Sequence, residues 1–246
     1  MGQEILVLSI AVFGASVLQS ATGIGFGVVA GPLLLIVLND AAAIQVSIAL
    51  NLLIAVILAP SLWRIADSKL LRILLIGLAV GSPVGLAMFL YADIALLKLF
   101  AGAVVLFTLV LLLRGNRATA ASARTSASQP EKVAVGFVAG IMGGVLAMPG
   151  PVPAAWMSAR GYDKDTIRAT ILVMFVVAYS FALLLQLSMT EVSASTVRQT
   201  AVLVPATVAG IIMGKYLSQR ISEAIFRGLL AIVLALTVAL LFATLG

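Results

Sequence analysis

The sequence predicts an all-α polytopic membrane protein made of two inverted repeats, each a broken-helix hairpin followed by three transmembrane helices. Three observations support this prediction. Of the 246 residues, 63% are hydrophobic and only 10% are charged, whereas a soluble domain carries about 25% charged residues. Apolar runs of about 20 residues, the length that spans a bilayer core, recur along the whole chain. One interrupted apolar run followed by three uninterrupted runs also occurs twice along the chain.

The first half, residues 1–113, begins with an interrupted apolar run. Residues 5–38 are apolar except in the stretch QSATGIGFGVVAGP, Gln19–Pro32, where glycines, polar side chains and a proline break the pattern. As a helix, the limb 5–18 is about 21 Å long, too short to cross a bilayer. We therefore predict a re-entrant hairpin over residues 5–38, followed by spans at 41–62, 70–90 and 94–113.

The second half, residues 133–246, follows an Ala/Ser-rich segment at 114–132 that is typical of a flexible linker. Residues 133–159 contain AMPGPVPAAW, whose three prolines cannot all lie inside one unbroken helix. A second hairpin is therefore predicted at 133–159, followed by spans at 169–187, 198–214 and 228–245.

Two glycine pairs mark the repeat. The stretch GSPVG, Gly81–Gly85, and the stretch GIIMG, Gly210–Gly214, occupy equivalent places in the third predicted unit of each half. Small residues at this spacing let membrane helices approach closely. We predict that these glycines pack helices and do not contact a ligand.

The distribution of basic residues predicts the topology. If both hairpins crossed the membrane, eight of the 15 Lys and Arg residues would lie on one side of the membrane and seven on the other. If each hairpin returns to its own side, they divide thirteen against two, the two being Lys98 and Arg198. The positive-inside rule favours the second arrangement. It inverts the two halves relative to each other, with the linker in the cytoplasm and both termini outside, and inverted repeats are typical of secondary transporters.

Composition also excludes several classes of function. Cysteine and histidine are absent, so disulfides, thiol chemistry and the commonest metal ligands are not available. We expect no cofactor, no metal and no enzymatic activity, because no serine lies beside a plausible buried base. The stretch GIGFGVVAG superficially matches a dinucleotide site but lacks a preceding strand. The net charge of +6 is expected to reside in cytoplasmic loops and not to bind nucleic acid. Since Glu4 precedes the first apolar run and no basic n-region is present, we expect this segment to remain in the mature protein.

The hairpin tips are the candidate binding site. Each tip starts a new half-helix, and a helix start offers unpaired N–H groups and about half a positive charge. Glycine lets a ligand approach the backbone, and proline suits a first helical turn. We predict that one small anion lies between the tips near the middle of the membrane, held by neutral donors without a cationic side chain at that depth. The candidate contacts are Gln19, Ser20, Thr22, Gly23, Gly25, Gly27, Asn51, Gly150, Pro151, Val152, Trp156 and Tyr179.

Further polar residues lie in the spans that follow the hairpins. They are Gln45, Ser47 and Asn51 in the first half and Tyr179, Ser180 and Gln186 in the second. Each of them, taken alone, is also typical of hydrogen bonds between membrane helices. No carboxylate lies in the middle of a span, so the sequence indicates neither H⁺ nor Na⁺ as a coupling ion, and it predicts no oligomeric state.

Both tip sequences resemble the sulfite exporter TauE/SafE family, also called toluene sulfonate uptake permeases. The first signature is LQSATGIGFGVVAGPLLL and the second is GIMGGVLAMPGPVPAAWMSARGYDKDTIRATI. The second tip departs from the Ser-Gly-Pro-Pro-like tip of many members and lacks its hydroxyl. The resemblance implies a secondary transporter of the bacterial cytoplasmic membrane that moves sulfite, a sulfonate or sulfoacetate by alternating access. The residues alone indicate a transporter of a small anion, and the alternatives are an anion channel and a carboxylate transporter.

Overall fold

The computed structural model describes residues 2–114, 127–217 and 223–244, which form ten helices and contain no strand. The all-helical class predicted from the sequence is confirmed. Six helices in the described residues are long and apolar enough to cross a membrane, at Glu4–Thr22, Ala42–Leu62, Ser68–Tyr91, Ile94–Leu113, Lys164–Met189 and Ala194–Leu217. The helices are α1 (Gly2–Thr22), α2 (Phe26–Leu38), α3 (Ala42–Leu62), α4 (Ser68–Tyr91), α5 (Ile94–Arg114), α6 (Gln129–Leu146), α7 (Pro151–Ala159), α8 (Lys164–Met189), α9 (Ala194–Leu217) and α10 (Glu223–Ala243).

The predicted spans of the first half agree with α3, α4 and α5 to within two residues at each end. In the second half, α8, α9 and α10 begin four or five residues earlier than predicted. The reason is visible at α8, where the Asp163 carboxylate accepts the backbone N–H of Thr166 at 2.9 Å and starts the helix in a polar sequence. Residues 115–126 of the predicted linker and residue 245 of the last span lie outside the described residues.

The first hairpin differs from its prediction. Helix α1 continues through the polar residues to Thr22, so its 21 residues make it about 31 Å long. The prediction that this limb is too short to cross a membrane is wrong. The polar side chains remain compatible with the helix because Ser16 and Thr22 donate to carbonyls one turn earlier. The break is only residues 23–25, and Pro32 lies inside α2.

The second hairpin has the predicted form. Helix α6 ends at Leu146, a four-residue connection contains Pro149, and α7 begins with Pro151. Glu131 in the first turn of α6 forms an ion pair with Arg160, the residue that follows α7. The chain therefore returns to the end of α6 from which the hairpin started.

The two halves exchange packing partners. The first helix of each half packs along the fourth helix of the other half, so that α1 lies on α9 and α6 lies on α4. The third helices, α3 and α8, pack on each other, and so do the fifth helices, α5 and α10. Neither half is therefore a separate packing unit.

Glycine stripes bring these exchanged helices into backbone contact. On α4 and α6, three glycines at four-residue spacing face each other, Gly77, Gly81 and Gly85 on one helix and Gly136, Gly140 and Gly144 on the other. A Cβ atom on Gly140 would lie 2.5 Å from the carbonyl oxygen of Leu78. On α9, a Cβ on Gly210 or Gly214 would lie 2.6 or 2.5 Å from a carbonyl oxygen of α1. The predicted packing role of Gly81, Gly85, Gly210 and Gly214 is confirmed, although the sequence did not reveal their partner helices.

Candidate functional site

The first break is a turn held by Thr22 and two glycines. Gly23 has φ +84° and Gly25 has φ +155°, and both values are unfavourable for residues with a Cβ. The Thr22 hydroxyl lies 2.5 Å from the carbonyl oxygen of Ile24 and 2.8 Å from that of Leu18. It also accepts the N–H of Ile24 at 3.3 Å. Thr22, predicted as a substrate contact, therefore uses its hydroxyl to shape the turn.

Gln19 joins the break to α3. Its Oε1 accepts the N–H of Phe26, the first residue of α2, at 3.0 Å, and its Nε2 donates to Asn51 Oδ1 at 3.2 Å. Asn51 in turn donates to the carbonyl oxygen of Ser47 at 2.9 Å. All three side chains are buried. Two predicted site residues, Gln19 and Asn51, are thus brought together, and they cap the half-helix by a buried hydrogen-bond chain.

The start of α2 retains further donors. The first N–H groups of any helix lack an intrahelical acceptor. In α2 the N–H of Phe26 is taken by Gln19, and that of Val29 bonds to the carbonyl of Gly25 at 3.0 Å. Gly27 and Val28 supply the remaining N–H groups of this first turn, at the positive end of the helix dipole.

The two tips touch each other, as predicted. A Cβ on Gly27 would lie 2.7 Å from the carbonyl oxygen of Ala147, and one on Gly31 would lie 3.2 Å from Met148 Cε. Tyr179, only 1% exposed, donates its hydroxyl to the same Ala147 oxygen at 3.1 Å. Tyr179, predicted as a substrate contact, therefore lies at the second tip, where its hydroxyl holds the backbone.

The second tip offers fewer donors than the first. Ala147 ends α6 in the left-handed conformation, with φ +57°. Pro151 and Pro153 occupy the first turn of α7 and have no N–H, so Val152 supplies the N–H between them. Gly150 is covered by an aromatic ring, since its Cβ would lie 2.7 Å from Phe175 Cζ. Of the predicted residues Gly150, Pro151 and Val152, the proline has no N–H, so Gly150 and Val152 are the two that have a backbone donor.

Arg168 lies on the first break, which corrects the prediction of a site without a cation. A Cβ on Gly23 would lie 2.7 Å from Arg168 Cγ, and Arg168 Nη2 donates to the carbonyl oxygen of Ser20 at 2.5 Å. This contact places a positive charge at the carboxyl end of α1, where the helix dipole favours it. Two buried atoms here, Ser20 Oγ and Arg168 Nε, have no hydrogen-bond partner. The sequence missed Arg168 because it precedes the apolar part of α8.

Helix α8 supports both tips. Gly23 lies against Arg168, Gly150 lies against Phe175, and Ala147 is held by Tyr179. These contacts fall within twelve residues of one helix, Arg168 to Tyr179, a length of about 17 Å. The part of α8 from Arg168 to Tyr179 therefore fixes the positions of the two tips relative to each other.

Trp156 lies away from the tips. Its Nε1 donates to Glu131 Oε1 at 2.8 Å, and the Arg160 guanidinium lies 5.5 Å from the centre of its ring. The hydrogen bond from Trp156, followed by those from Arg160, lowers the pKa of the Glu131 carboxyl. Trp156, predicted as a substrate contact, therefore belongs to the group that closes the second hairpin.

A groove of about 780 Å³ opens between the later part of α3 and the middle of α8. Its lining includes Trp63 and Arg64 at one end and Val173, Val176 and Val177 along one wall. None of the predicted site residues lines it. The groove and the tips are therefore separate features.

Two hairpins of broken helices whose breaks meet, in a bundle with six membrane-length helices, define a multi-pass membrane protein with the broken-helix architecture found in transporters. The chain belongs to the sulfite exporter TauE/SafE family, whose family model matches residues 8–241. The match includes the breaks of both hairpins and confirms the resemblance seen in the tip sequences. The family is one of membrane transporters of sulfur-containing anions. Comparisons with curated proteins and with solved structures gave no match.

Proposed function

We propose that the protein moves a small sulfur-containing oxyanion, such as sulfite, a sulfonate or sulfoacetate, across the bacterial cytoplasmic membrane. The observation that supports this most directly is the buried contact between the start of α2 and the second tip, in a hairpin whose break at Gly23 also contacts Arg168. The anion is held there by the N–H groups of Gly27 and Val28. The proposal further places both termini outside and relates the two halves by inversion.

The chemistry of the break favours an anion with several oxygens. A helix start carries about half a positive charge, and Arg168 adds a full one within reach of the same turn. The Ser20 hydroxyl and the Arg168 Nε–H are buried donors without partners. A sulfite or sulfonate group presents three oxygens, which is enough to accept from a backbone N–H, a hydroxyl and a guanidinium together.

Transport requires the tips to separate. In the described structure the Ala147 carbonyl oxygen lies against Gly27, so a partly negative atom faces the start of α2. An anion and a carbonyl oxygen repel each other, and the anion therefore enters only when the second tip moves away. Each hairpin moves on its own side of the membrane, which gives alternating access to one site.

Counterflow in proteoliposomes tests the function. Vesicles loaded with unlabelled sulfite should accumulate labelled sulfite from outside, and sulfonates should compete at lower concentration than carboxylates of the same size. Preference for carboxylates would contradict the sulfur-anion substrate. A steady conductance without saturable counterflow would identify a channel instead.

A matched pair of serines tests the site. Ser16 and Ser20 lie one turn apart on α1, are both buried, and both face glycines of α9. The Ser16 hydroxyl bonds to the carbonyl of Val12, whereas that of Ser20 has no partner. Ser20→Ala should weaken anion binding about 10- to 100-fold, the value of one hydrogen bond to a charged group. Ser16→Ala should leave the Kd unchanged, and equal Kd values for the two variants would place the anion elsewhere.

A further inference from the structure

A second buried polar group lies at the other end of α8. It consists of Gln45, Gln186 and Thr190, called here the amide cluster. The side chain of Gln45 is 7% exposed and that of Gln186 is 1% exposed. Gln45 Nε2 donates to Thr190 Oγ1 at 3.0 Å, and the Thr190 hydroxyl donates to the carbonyl oxygen of Gln186 at 2.7 Å. Thr190 therefore joins the Gln45 side chain to the backbone of Gln186.

Three atoms of the amide cluster have no partner. They are Oε1 of Gln45 and both Oε1 and Nε2 of Gln186. Buried polar atoms in native proteins are nearly always hydrogen-bonded, so a group of three unpartnered atoms points to a bound species. Two of the three are carbonyl-type oxygens, which attract a cation.

The surroundings also favour positive charge. Thr190 is the C-cap of α8, and a helix carries about half a negative charge at this end. No basic residue lies in the last turn of α8, and Glu191 follows Thr190 in the chain. Thr190 lies 22 residues from Arg168 and 11 residues from Tyr179, about 33 Å and 17 Å at the helical rise, so it is distinct from both tips.

We propose that the amide cluster binds one monovalent cation of the size of Na⁺. Neutral carbonyl and hydroxyl oxygens suit a monovalent ion, as in filters and transporters that use backbone carbonyls and helix ends. Calcium and magnesium are instead bound mainly through carboxylates. Within the described residues, no group of three or more Asp, Glu, His or Cys side chains is placed to hold a metal.

Thermal unfolding of the purified full chain, without any substrate anion, tests this proposal. Melting is compared in NaCl, KCl and choline chloride at equal ionic strength, so chloride is common to all samples. Sodium at 100 times its Kd should raise the Tm by about 5–11 °C relative to choline. Binding of ²²Na⁺ should saturate at one ion per chain. A comparable increment in KCl supports the monovalent site and adds K⁺ as a ligand.

Leucine variants locate the ion. Gln45→Leu and Gln186→Leu should each abolish the sodium-dependent increment, measured within each variant so that a change in basal stability cancels. Gln129→Leu, which removes an exposed amide at the start of α6, should retain it. Equal Tm values in sodium and choline, or no ²²Na⁺ binding by the wild type, would overturn the proposal and leave ordered water in the cluster. Because no transported anion is used, the result is independent of the proposed function.

Discussion

Replacing Gly140 with alanine would place one methyl group between two helix backbones. The new Cβ would lie 2.5 Å from the Leu78 carbonyl oxygen, 2.8 Å from Ser82 N and 3.0 Å from the carbonyl carbon of Gly81. Ordinary Cβ contacts begin at 3.4 Å, so α4 and α6 must move apart by 3.4 − 2.5, or about 0.9 Å. A gap of 0.5–1 Å removes about a quarter to a half of each dispersion contact.

Packing energy is lost along the whole glycine stripe, because a helix moves as a rigid unit. Overpacking of a tight interface typically costs about 1–3 kcal/mol, and the backbone atoms around Gly140 place this site near the upper end. For a chain of this length, a loss of 2–3 kcal/mol lowers the Tm by about 4–12 °C. The measurement is thermal unfolding of the detergent-solubilised protein, followed by size-exclusion chromatography of the surviving fraction.

Gly14→Ala is the matched control. Gly14 lies within α1, and a Cβ there would meet no atom within 4 Å. The substitution makes the same change in helix propensity, which favours alanine by up to about 1 kcal/mol. Gly14→Ala should therefore be neutral or stabilising. If Gly140→Ala melted at the same temperature as Gly14→Ala, the close approach of α4 and α6 would not contribute to stability.

Two further predictions concern topology and pH. In this cysteine-free chain, Ser188→Cys at the end of α8 should react with an impermeant thiol reagent added to intact cells, whereas Asp165→Cys at its start should not. The reverse pattern would refute the topology inferred from the thirteen-to-two division of basic residues. The pKa of Glu131 is lowered, chiefly by the hydrogen bond from Trp156 and then by Arg160. A depressed folded pKa means that its contribution is complete above the unfolded value of about 4.3 and is lost as the pH falls through the lower folded value. Trp156 fluorescence should therefore stay constant from pH 7 to 5 and change only below about pH 4, and Glu131→Gln should remove that change; a midpoint above pH 5 would contradict the assignment.

The position of Arg168 shows what a prediction from hydropathy alone leaves out. Apolar runs located the middle of α8 correctly, because lipid-facing residues must be apolar. The beginning of α8 is set by a different signal, the Asp163 cap that accepts the N–H of Thr166. An Asp followed three residues later by a first-turn Thr marks this start in the sequence. That cap places Arg168 inside the helix, although its contact with the first break depends on tertiary packing.

The helix partners were not predictable in the same way. Proline and glycine act locally, so the breaks before α2 and α7 follow directly from Gly25 and Pro151. The stripes around Gly81 and Gly210 carry the same pattern, and nothing in either stripe specifies which helix it contacts. The role of Gln19 was equally hidden, because a glutamine that caps a half-helix and one that binds a ligand are the same residue type.

The exchange of helices between the halves has a consequence for how the protein is made. Helix α1 is complete at Thr22, but its partner α9 begins only at Ala194, 172 residues later. At a synthesis rate of about 5–20 residues per second, roughly 9–34 s pass before α9 begins to be made, and the serine face of α1 is uncovered for that time. Helix α4 likewise carries three bare glycines until α6 arrives. Insertion of this chain therefore requires the early helices to be shielded, by the insertion machinery or by lipid, until nearly the last segment has been synthesised.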